Sequence, residues 1–340
     1  MVTVAVFHAA NLPMIWNIGN KTEILYFPVH IDTIKIGKIM KKSVLVVGSV
    51  AFDDVETPFG KRQNALGGSA VYFAMAAAPF TSTRIVGVAG QDYPENALSM
   101  LKKHGADVSG LTLVEGKTFR WGGVYHTDMN QRDTLYTHLN VFADFKPVIP
   151  PHFRETPYLF LGNIQPALQL DVLSQIKEPE YIALDTMNLW INTTRDDLLK
   201  VIRKVDLLII NDSELALLTG ENQLLKGLET AHKMGPKHII IKKGEHGAFL
   251  SNETELFYSP AFPVQKAVDP TGAGDSFAGG LMGYLAGCDQ IDFTALKKAL
   301  VYGCVMGSLV VEDFSVDGLI GLSKARIDSR YAALRNMVTI

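Results

Sequence analysis

The sequence has few of the features that mark secreted, membrane or nucleic-acid-binding proteins. Only two of its 340 residues are cysteines, Cys288 and Cys304, and their spacing fits no metal site. We expect both to be free thiols among apolar residues, which favours a reducing cytoplasm. A formal net charge of −3 leaves no basic surface for nucleic acid or an anionic membrane. Uninterrupted apolar runs are shorter than a membrane span.

The signatures of several common enzyme classes are also missing. Without a G-x-x-x-x-G-K-S/T run, nothing supports a P-loop phosphotransferase. The H-R-D and D-F-G motifs, the G-x-S-x-G elbow and the H-E-x-x-H zinc motif are absent too. What is present is a chain with 47% apolar and 20% charged residues. Its length allows one large α/β domain or two ordinary ones.

Apolar strands alternate with helical patterns along most of the chain. The run from Ser43 to Val50 and five later runs read as buried strands, namely 84–92, 158–161, 181–184, 207–210 and 238–242. Each leads into a helix or turn, which predicts an α/β fold with a doubly wound, mostly parallel sheet flanked by helices. Ligands of such sheets bind at the carboxyl edge, where the chain places 162–163, 185–188, 211–214 and 243–244.

The hydrophobic period changes to two between Leu111 and Phe142. Residues 118–125 alternate in side-chain type, 129–131 read as a turn and 132–137 as the returning strand. This pattern predicts an antiparallel ribbon inserted between the βα units. Its aromatic side chains either cover a ligand or pack the core of the ribbon itself.

Residues 1–40 fit the βα pattern least. The apolar start lacks a preceding Lys or Arg and a clean cleavage site, which argues against a signal peptide. Met40 immediately precedes the first convincing strand and would make a natural start. We therefore predict an N-terminal extension of uncertain order over 1–40, with a docking arm as the alternative, and one domain over 41–340.

The stretch Val268–Gly280 carries the strongest chemical signal. Residues 269–272 have the composition of a type I turn, and Gly272-Ala273-Gly274 brings nearly bare backbone to the start of a helix. The free N–H groups of a helix start attract anions, and glycines let a phosphate approach them closely. Asp275 is then either an ordinary helix cap or a base for an attacking hydroxyl. The turn alone leaves both interpretations open.

This stretch resembles the C-terminal signature D-T-x-G-A-G-D of the ribokinase (PfkB) family of carbohydrate and nucleoside kinases. Only the second position departs, with Pro270 in place of Thr. The resemblance covers about residues 43–338 and implies a ribokinase-like fold with a small antiparallel β lid, its strands from about 53–66 and 111–142. It also implies that Asp275 is the catalytic base, and that an anion hole is formed by the N–H groups of Gly272, Ala273, Gly274 and Asp275.

Motifs near the first strand resemble the substrate site of the family. Asp53 matches the acidic residue that holds substrate hydroxyls, and Gly67 and Gly68 match the G-G hinge between lid and core. Asn163, at the carboxyl edge, completes the substrate-binding set that we expect. Tyr72 stands where ribokinases and adenosine kinases usually carry Asn, which leaves the substrate open. By themselves, the Asp pair at 53–54 would start a loop and the glycines would form a flexible turn.

Two more motifs resemble the nucleotide and Mg²⁺ elements of the family. Asn211 and Glu214 match N-x-x-E, which orders Mg²⁺ through water, although alone they would be a helix cap and its capping box. Lys243, Gly244 and Gly247 match the G-x-x-G turn along the nucleotide phosphates. The same turn could simply join two strands.

The resemblance places a last group of contacts near the C-terminus. Thr271 is expected beside ATP. The segment 312–318 would bracket adenine, or a monovalent cation such as K⁺ next to Asp269 and Thr271.

Taken together, these resemblances imply an ATP- and Mg²⁺-dependent kinase that transfers the γ-phosphoryl group to a hydroxyl of a small sugar or sugar-like substrate. A nucleoside is the alternative substrate, since Tyr72 and the aromatic ribbon suit a base. A ligand sensor without turnover is the alternative from another class, but an intact Asp275 and anion hole argue against it. The unpaired edges and apolar face of the lid predict a homodimer through the lids.

Overall fold

The computed structural model describes residues 12–18, 21–27 and 42–338, and the chain divides into two units, 1–39 and 40–340. In the first unit, β1 (Leu12–Ile18) and β2 (Lys21–Phe27) pair as an antiparallel hairpin. The rest of the predicted extension and the suggested start at Met40 lie outside the described residues.

The second unit carries the strands β3 (Val44–Val47), β4 (Ala51–Thr57), β5 (Gly60–Gly67), β6 (Thr83–Gly90), β7 (Ala106–Val114), β8 (Phe119–Tyr125), β9 (Arg132–His138), β10 (Tyr158–Leu161), β11 (Tyr181–Asp185), β12 (Leu207–Asn211), β13 (His238–Lys242), β14 (Ala248–Ser251) and β15 (Leu256–Ser259). Its helices are α1 (Ser69–Ala77), α2 (Glu95–Lys103), α3 (Pro166–Gln175), α4 (Asn188–Thr193), α5 (Arg195–Ile202), α6 (Asp212–Thr219), α7 (Leu224–His232), α8 (Ala273–Leu285), α9 (Phe293–Val310) and α10 (Lys324–Val338). Short 3₁₀ turns lie at Asn140–Asp144, Pro151–Phe153, Gly244–His246 and Asp317–Leu319.

A large sheet forms the centre of this unit, in the order β15-β14-β13-β12-β11-β10-β3-β6-β7. All pairs from β13 to β7 are parallel, while β14 and β15 join antiparallel at one edge. One apolar core contains residues of α1, α2, α8, α9 and α10, and the other contains residues of α3 to α7. Because the inner strands are covered on both faces, they are continuous apolar runs. The predicted doubly wound, mostly parallel sheet is confirmed.

A smaller sheet in the order β5-β4-β8-β9 stands apart from the large one. Its outer pairs are antiparallel, and its central pair, β4 with β8, is parallel. The predicted ribbon corresponds to β8 and β9. The expected lid range beginning at Leu111 starts too early, since Leu111 pairs with Gly87 in the large sheet. The strand β7 lies at the sheet edge with many exposed positions, so it shows the alternation expected of a ribbon.

Helix α9 is long and apolar enough to cross a membrane by length and composition, with a mean hydropathy of 1.3. More than half of this segment is buried inside the protein, where Leu300, Val305 and Leu309 belong to the first core. This is the behaviour of a core helix, so α9 is weak evidence for a membrane.

Candidate active site

Charged side chains converge where the parallel strands end. Asp185 is the last residue of β11 and Lys242 the last residue of β13, and their Oδ1 and Nζ atoms lie 2.9 Å apart. Between these strands, Asn211 ends β12 opposite Lys242. The start of α8 reaches the same place, because a Cβ atom added to Gly274 would lie 3.2 Å from Lys242 Nζ. The carboxyl edge therefore brings together elements that are far apart in sequence, as expected for such sheets.

The turn before α8 lies one residue later than predicted. Ala273 N donates to Pro270 O at 3.2 Å, and Gly272 has φ +74° and ψ +5°. These angles at the third residue belong to a type II turn, which requires glycine there, rather than the type I turn expected over 269–272. A side chain at 272 would also meet the Tyr72 ring, whose carbons lie 2.3 Å from the added Cβ position. Gly272 thus leaves the helix start as bare backbone.

Asp275 occupies the first turn of α8 and does not precede the helix as its cap residue; that position belongs to Gly272. Burial raises the pKa of Asp275 to about 7, and the nearby Asp185 carboxylate adds to the rise. The charges of Lys242 and Arg132 act in the opposite direction. A carboxyl group that titrates near neutral pH suits a proton acceptor in phosphoryl transfer.

Lys242 is the most important side chain that sequence reasoning did not select. Burial lowers its pKa, but the carboxylates of Asp185, Glu214 and Asp275 together raise the pKa above its ordinary value. Our sequence interpretation placed Lys242 inside a strand and considered its neighbour Lys243 instead. A usable signal exists in the sequence, since a lysine that ends an apolar strand at the carboxyl edge points to a site there.

Lys243 points to the other side of the strand end. Its Nζ lies 2.7 Å from Asp212 Oδ2, in a pair that is open to solvent. The turn that follows has the predicted form, with Lys243 N donating to Gly247 O at 2.8 Å. A Cβ at Gly247 would lie 2.1 Å from Ser259 O, so only glycine fits there. A Cβ at Gly244 would lie 3.2 Å from Asn130 Oδ1, so the turn of the small sheet reaches this loop.

Asn211 and Glu214 form the capping box of α6. Asn211 Oδ1 accepts from Glu214 N at 2.7 Å, and Glu214 Oε2 accepts from Asn211 N at 2.8 Å. Burial raises the pKa of the Glu214 carboxyl group, against the charge of Lys242. The structural interpretation of this motif is therefore correct, and it leaves a buried carboxylate beside the Lys242–Asp185 pair.

Asp53 faces the same region from the small sheet. Burial raises its pKa to about 8, with further contributions from the carboxylates of Asp269 and Asp275. A Cβ at Gly67 would lie 2.0 Å from Asp53 Oδ2, which explains the glycine opposite this carboxylate. Gly68 is the N-cap of α1 with φ +94°, a conformation that favours glycine. Asp54 instead accepts from Asn64 N and Tyr136 Oη, so Asp53 is the member of the pair in the site.

The Tyr72 side chain is almost fully buried beneath the Gly272 turn. Burial, with the charges of Asp53 and Asp269, raises the pKa of its hydroxyl well above the ordinary value. Within the described residues, this hydroxyl has no hydrogen-bond partner. Tyr72 therefore packs beneath the turn and leaves a buried hydroxyl without a hydrogen bond among the described residues.

Asp269 braces the loops around the turn. Its Oδ1 accepts from Thr271 N at 2.9 Å and its Oδ2 from Ser315 N at 3.1 Å. Thr271 Oγ1 in turn lies 3.2 Å from the hydroxyl of Tyr125 on β8. These contacts connect the small sheet to the start of α8.

Arg132 is a second charged residue that sequence reasoning did not select. It follows the turn of the small sheet, opposite Tyr125, and its guanidinium carbon lies 5.5 Å from the centroid of the Trp121 ring. Its positive charge lowers the pKa values of Asp53, Glu214 and Asp275, so the guanidinium group faces the site.

Asn163 lies at the same edge, but its amide is already engaged. Its Oδ1 accepts from Trp190 Nε1 at 2.7 Å, and its Nδ2 lies 3.1 Å from Met187 Sδ. The structure does not join it to the carboxylate cluster, and its substrate contact stays a prediction.

A glycine turn that opens a helix, followed by a buried aspartate at the carboxyl edge of a doubly wound sheet, places an anion site beside a carboxylate, which suits phosphoryl transfer. The family profile described as pfkB family carbohydrate kinase matches residues 32–319. The chain belongs to this family.

Curated relatives agree with this assignment, and a solved structure agrees with the fold. A cytidine kinase of Thermococcus kodakarensis is 29% identical over 72% of this chain and 89% of its own. A nucleoside kinase of Methanothermobacter thermautotrophicus is 24% identical over 80% of this chain and 90% of its own. The fold is similar to the ribokinase of Thermotoga maritima, with a TM-score of 0.68 at 21% identity, over 86% of this chain and 99% of that one.

Proposed function

We propose that this protein transfers the γ-phosphoryl group of ATP to a hydroxyl of a sugar ring, either of a small sugar or of a nucleoside. The observation that carries the proposal is the start of α8. There Gly272 and Gly274 place backbone without side chains at the helix start, the Ala273 N–H closes the turn onto Pro270 O, and Asp275 follows in the first turn with a pKa of about 7.

The chain supplies most of what phosphoryl transfer requires. The N–H groups of Gly272, Gly274 and Asp275 would hold the transferred group, which carries charge that must be neutralised, and the Ala273 N–H would join them by leaving Pro270 O. Asp275 would accept the hydroxyl proton. A carboxylate is too weak to ionise an alcohol beforehand, but the proton becomes acidic as the new P–O bond forms, so a late acceptor suffices. Asp53 would orient the acceptor by accepting hydrogen bonds from neighbouring hydroxyls.

The residues present fit a Mg²⁺ ion that arrives with ATP. Within the described residues, no three His, Cys, Asp or Glu side chains are grouped to hold a metal alone. However, Asp185, Glu214 and Asp275 outnumber Lys242, and this surplus of carboxylates suits a cation. Glu214 and Asn211 would face the ion, which neutralises phosphate charge when bound.

A monovalent cation remains a separate proposal. Both oxygens of Asp269 already accept backbone N–H groups, so this carboxylate has a structural role even without K⁺. Rates in potassium and tetramethylammonium chloride would show whether K⁺ near Asp269 and Thr271 contributes.

The test of the proposal is a panel of sugars and nucleosides with ATP and Mg²⁺, followed by ADP release and phosphorus NMR of the product. We expect one class of acceptor to yield a phosphate monoester. The two nucleoside-phosphorylating relatives align over most of this chain, so cytidine and other nucleosides are the first acceptors to test. ATP binding without turnover across the panel would favour the ligand sensor instead.

We extend the proposal to assembly and location. The strands β5 and β9 form the edges of the small sheet, and Leu135 on β9 is 61% exposed. Such an edge favours pairing with a second copy, so we propose a homodimer through the small sheets. Light scattering that shows a monomer at micromolar concentration would contradict it.

Cys288 and Cys304 are free thiols, which supports a cytoplasmic location.

A further inference from the structure

The amine of Lys242 is surrounded by acidic groups from three other elements. Asp185 on β11 contacts it directly at 2.9 Å, while Glu214 on α6 and Asp275 on α8 lie close enough to raise its pKa. One ammonium group among three carboxylates cannot neutralise them all. A pair whose only role is stability would be expected to have matched charges.

The same amine borders the start of α8. The position of a Cβ at Gly274 lies 3.2 Å from Nζ, so the ammonium group occupies the space that a side chain at residue 274 would enter. The Lys242 side chain keeps 19% of its surface exposed, against 10% for Asp185. A ligand held by the helix start can therefore reach the amine.

We propose that Lys242, fixed in place by Asp185, is the resident cation of the active site. It keeps Asp275 in the proton-accepting form and places a positive charge beside the Gly274 amide, where the transferred phosphoryl group would lie. This inference rests on the proposed kinase function. Asp185 is a positioning residue, since it orients Lys242 and contacts the reaction only through it.

A second lysine–aspartate pair on neighbouring strands provides the control. Lys237 precedes β13 and its Nζ lies 2.8 Å from Asp206 Oδ1, but its side chain is 74% exposed. This pair lies at the opposite, amino edge of the sheet. Lys237→Met removes the same charge from a similar pair without touching the site.

Four variants distinguish the proposed role from simple neutralisation of Asp185. Lys242→Met should lower the maximal rate about 10²-fold, the usual loss for one preorganised charge or donor. It should also raise the pKa of Asp275, because a nearby cation is lost, and so move the acidic limb of the pH–rate profile to higher pH by about one unit or more. Asp185→Asn should lower the pKa of Asp275 and move that limb to lower pH. Lys237→Met should leave both unchanged.

The double variant Lys242→Met with Asp185→Asn is the decisive one. Because Asp185 and Lys242 shift the pKa of Asp275 in opposite directions, removing both charges should return the acidic limb towards its parent position, but the rate should stay low because the cation is missing. A rate within a few-fold of the parent would overturn the proposal. The position of the acidic limb measures the pKa of Asp275. The ionisable groups that interact with Asp275 come from several elements and are Asp53, Tyr72, Arg132, Asp185 and Lys242.

Reductive methylation of the unmodified protein adds a test that needs neither a variant nor turnover. A non-hydrolysable ATP analogue with Mg²⁺ should protect Lys242 at least about tenfold and leave Lys237 equally reactive, as measured by mass spectrometry. Unchanged labelling of Lys242 with bound analogue would overturn the proposal even if a variant failed to fold. Absence of phosphorylated product with every acceptor would instead count against the kinase function, since this protection needs only nucleotide binding.

Discussion

The two edges of the large sheet carry the same kind of ion pair with opposite consequences. At the amino edge, Lys237 and Asp206 pair with the ammonium group in solvent, and Asp206 Oδ2 also accepts from Ile182 N at 3.0 Å. At the carboxyl edge, Lys242 and Asp185 pair inside the protein with two further carboxylates close by. The first pair holds neighbouring strands together, while the second leaves negative charge without a partner.

The difference supports the carboxyl edge as the proposed ligand site. Burial raises the pKa of Asp53 to about 8 and that of Asp275 to about 7, so both carboxyl groups are less stable as anions than they would be in water. A fold selected only for stability would expose or pair them. Unfavourable charge burial of two carboxyl groups in one region supports a functional role for them.

The substitution with the largest expected effect is Asp275→Asn. The amide keeps the shape of the side chain but cannot accept the hydroxyl proton, so turnover should fall by about 10²–10⁴-fold while ATP binding survives. Steady-state kinetics with the identified acceptor and calorimetry with ATP would measure the two effects. The matched change at the amino edge, Asp206→Asn, should leave turnover unchanged. A rate for Asp275→Asn within a few-fold of the parent would remove Asp275 as the base.

The pH dependence of the parent protein is the next test. Asp275 works as a base only when deprotonated, and its pKa is raised to about 7. Below pH 7, kcat/KM should therefore fall at least about tenfold per pH unit, and it should level off above about pH 8, where the Asp53 carboxyl group has also lost its proton. A flat profile between pH 5.5 and 7 would mean that no group with this pKa limits the free enzyme.

The sequence predicted the strands that end at the carboxyl edge but not the charged residues that distinguish this edge. Apolar runs are sufficient to place β10 to β13, because strands covered on both faces leave a continuous signal. Side-chain direction is not encoded so directly. Lys242 and Lys243 are adjacent and chemically identical, yet only the former faces Asp275, since successive residues at a strand end point to opposite sides.

Contacts between segments that are distant in the chain could not be predicted from the sequence either. Arg132 reaches the site only because β9 folds back along β8, and Tyr72 touches Gly272 only because α1 packs against α8. The motif at 269–275 could be recognised locally, whereas its neighbours depend on the tertiary fold.

Removing the hydroxyl of either of two tyrosines should change the free energy of unfolding by a small amount, with opposite signs. Tyr72→Phe removes a buried hydroxyl that lacks a partner among the described residues, so the free energy of unfolding should rise by about 1 kcal/mol. Tyr181→Phe, at the amino edge, removes a hydroxyl that lies 3.1 Å from His238 Nδ1 and should lower it by about 1 kcal/mol. Urea unfolding of both variants would measure the difference. Loss of stability in Tyr72→Phe would mean that its hydroxyl has a partner in solution.

The smallest expected effect is that of starting the chain at Met40. The family match begins at residue 32, but the contacts that fix the start of the second unit begin at Lys42, whose N–H donates to Ala286 O and whose carbonyl accepts from Thr81 Oγ1. These bonds and the strand β3 remain in the shortened protein. We therefore expect melting temperature and ATP-dependent turnover to stay nearly unchanged, as measured by calorimetry and the ADP assay. A shortened protein that fails to fold would show that residues 1–39 complete the core. Normal folding with lost turnover would instead mean that residues 1–39 contribute to the function of the carboxyl edge.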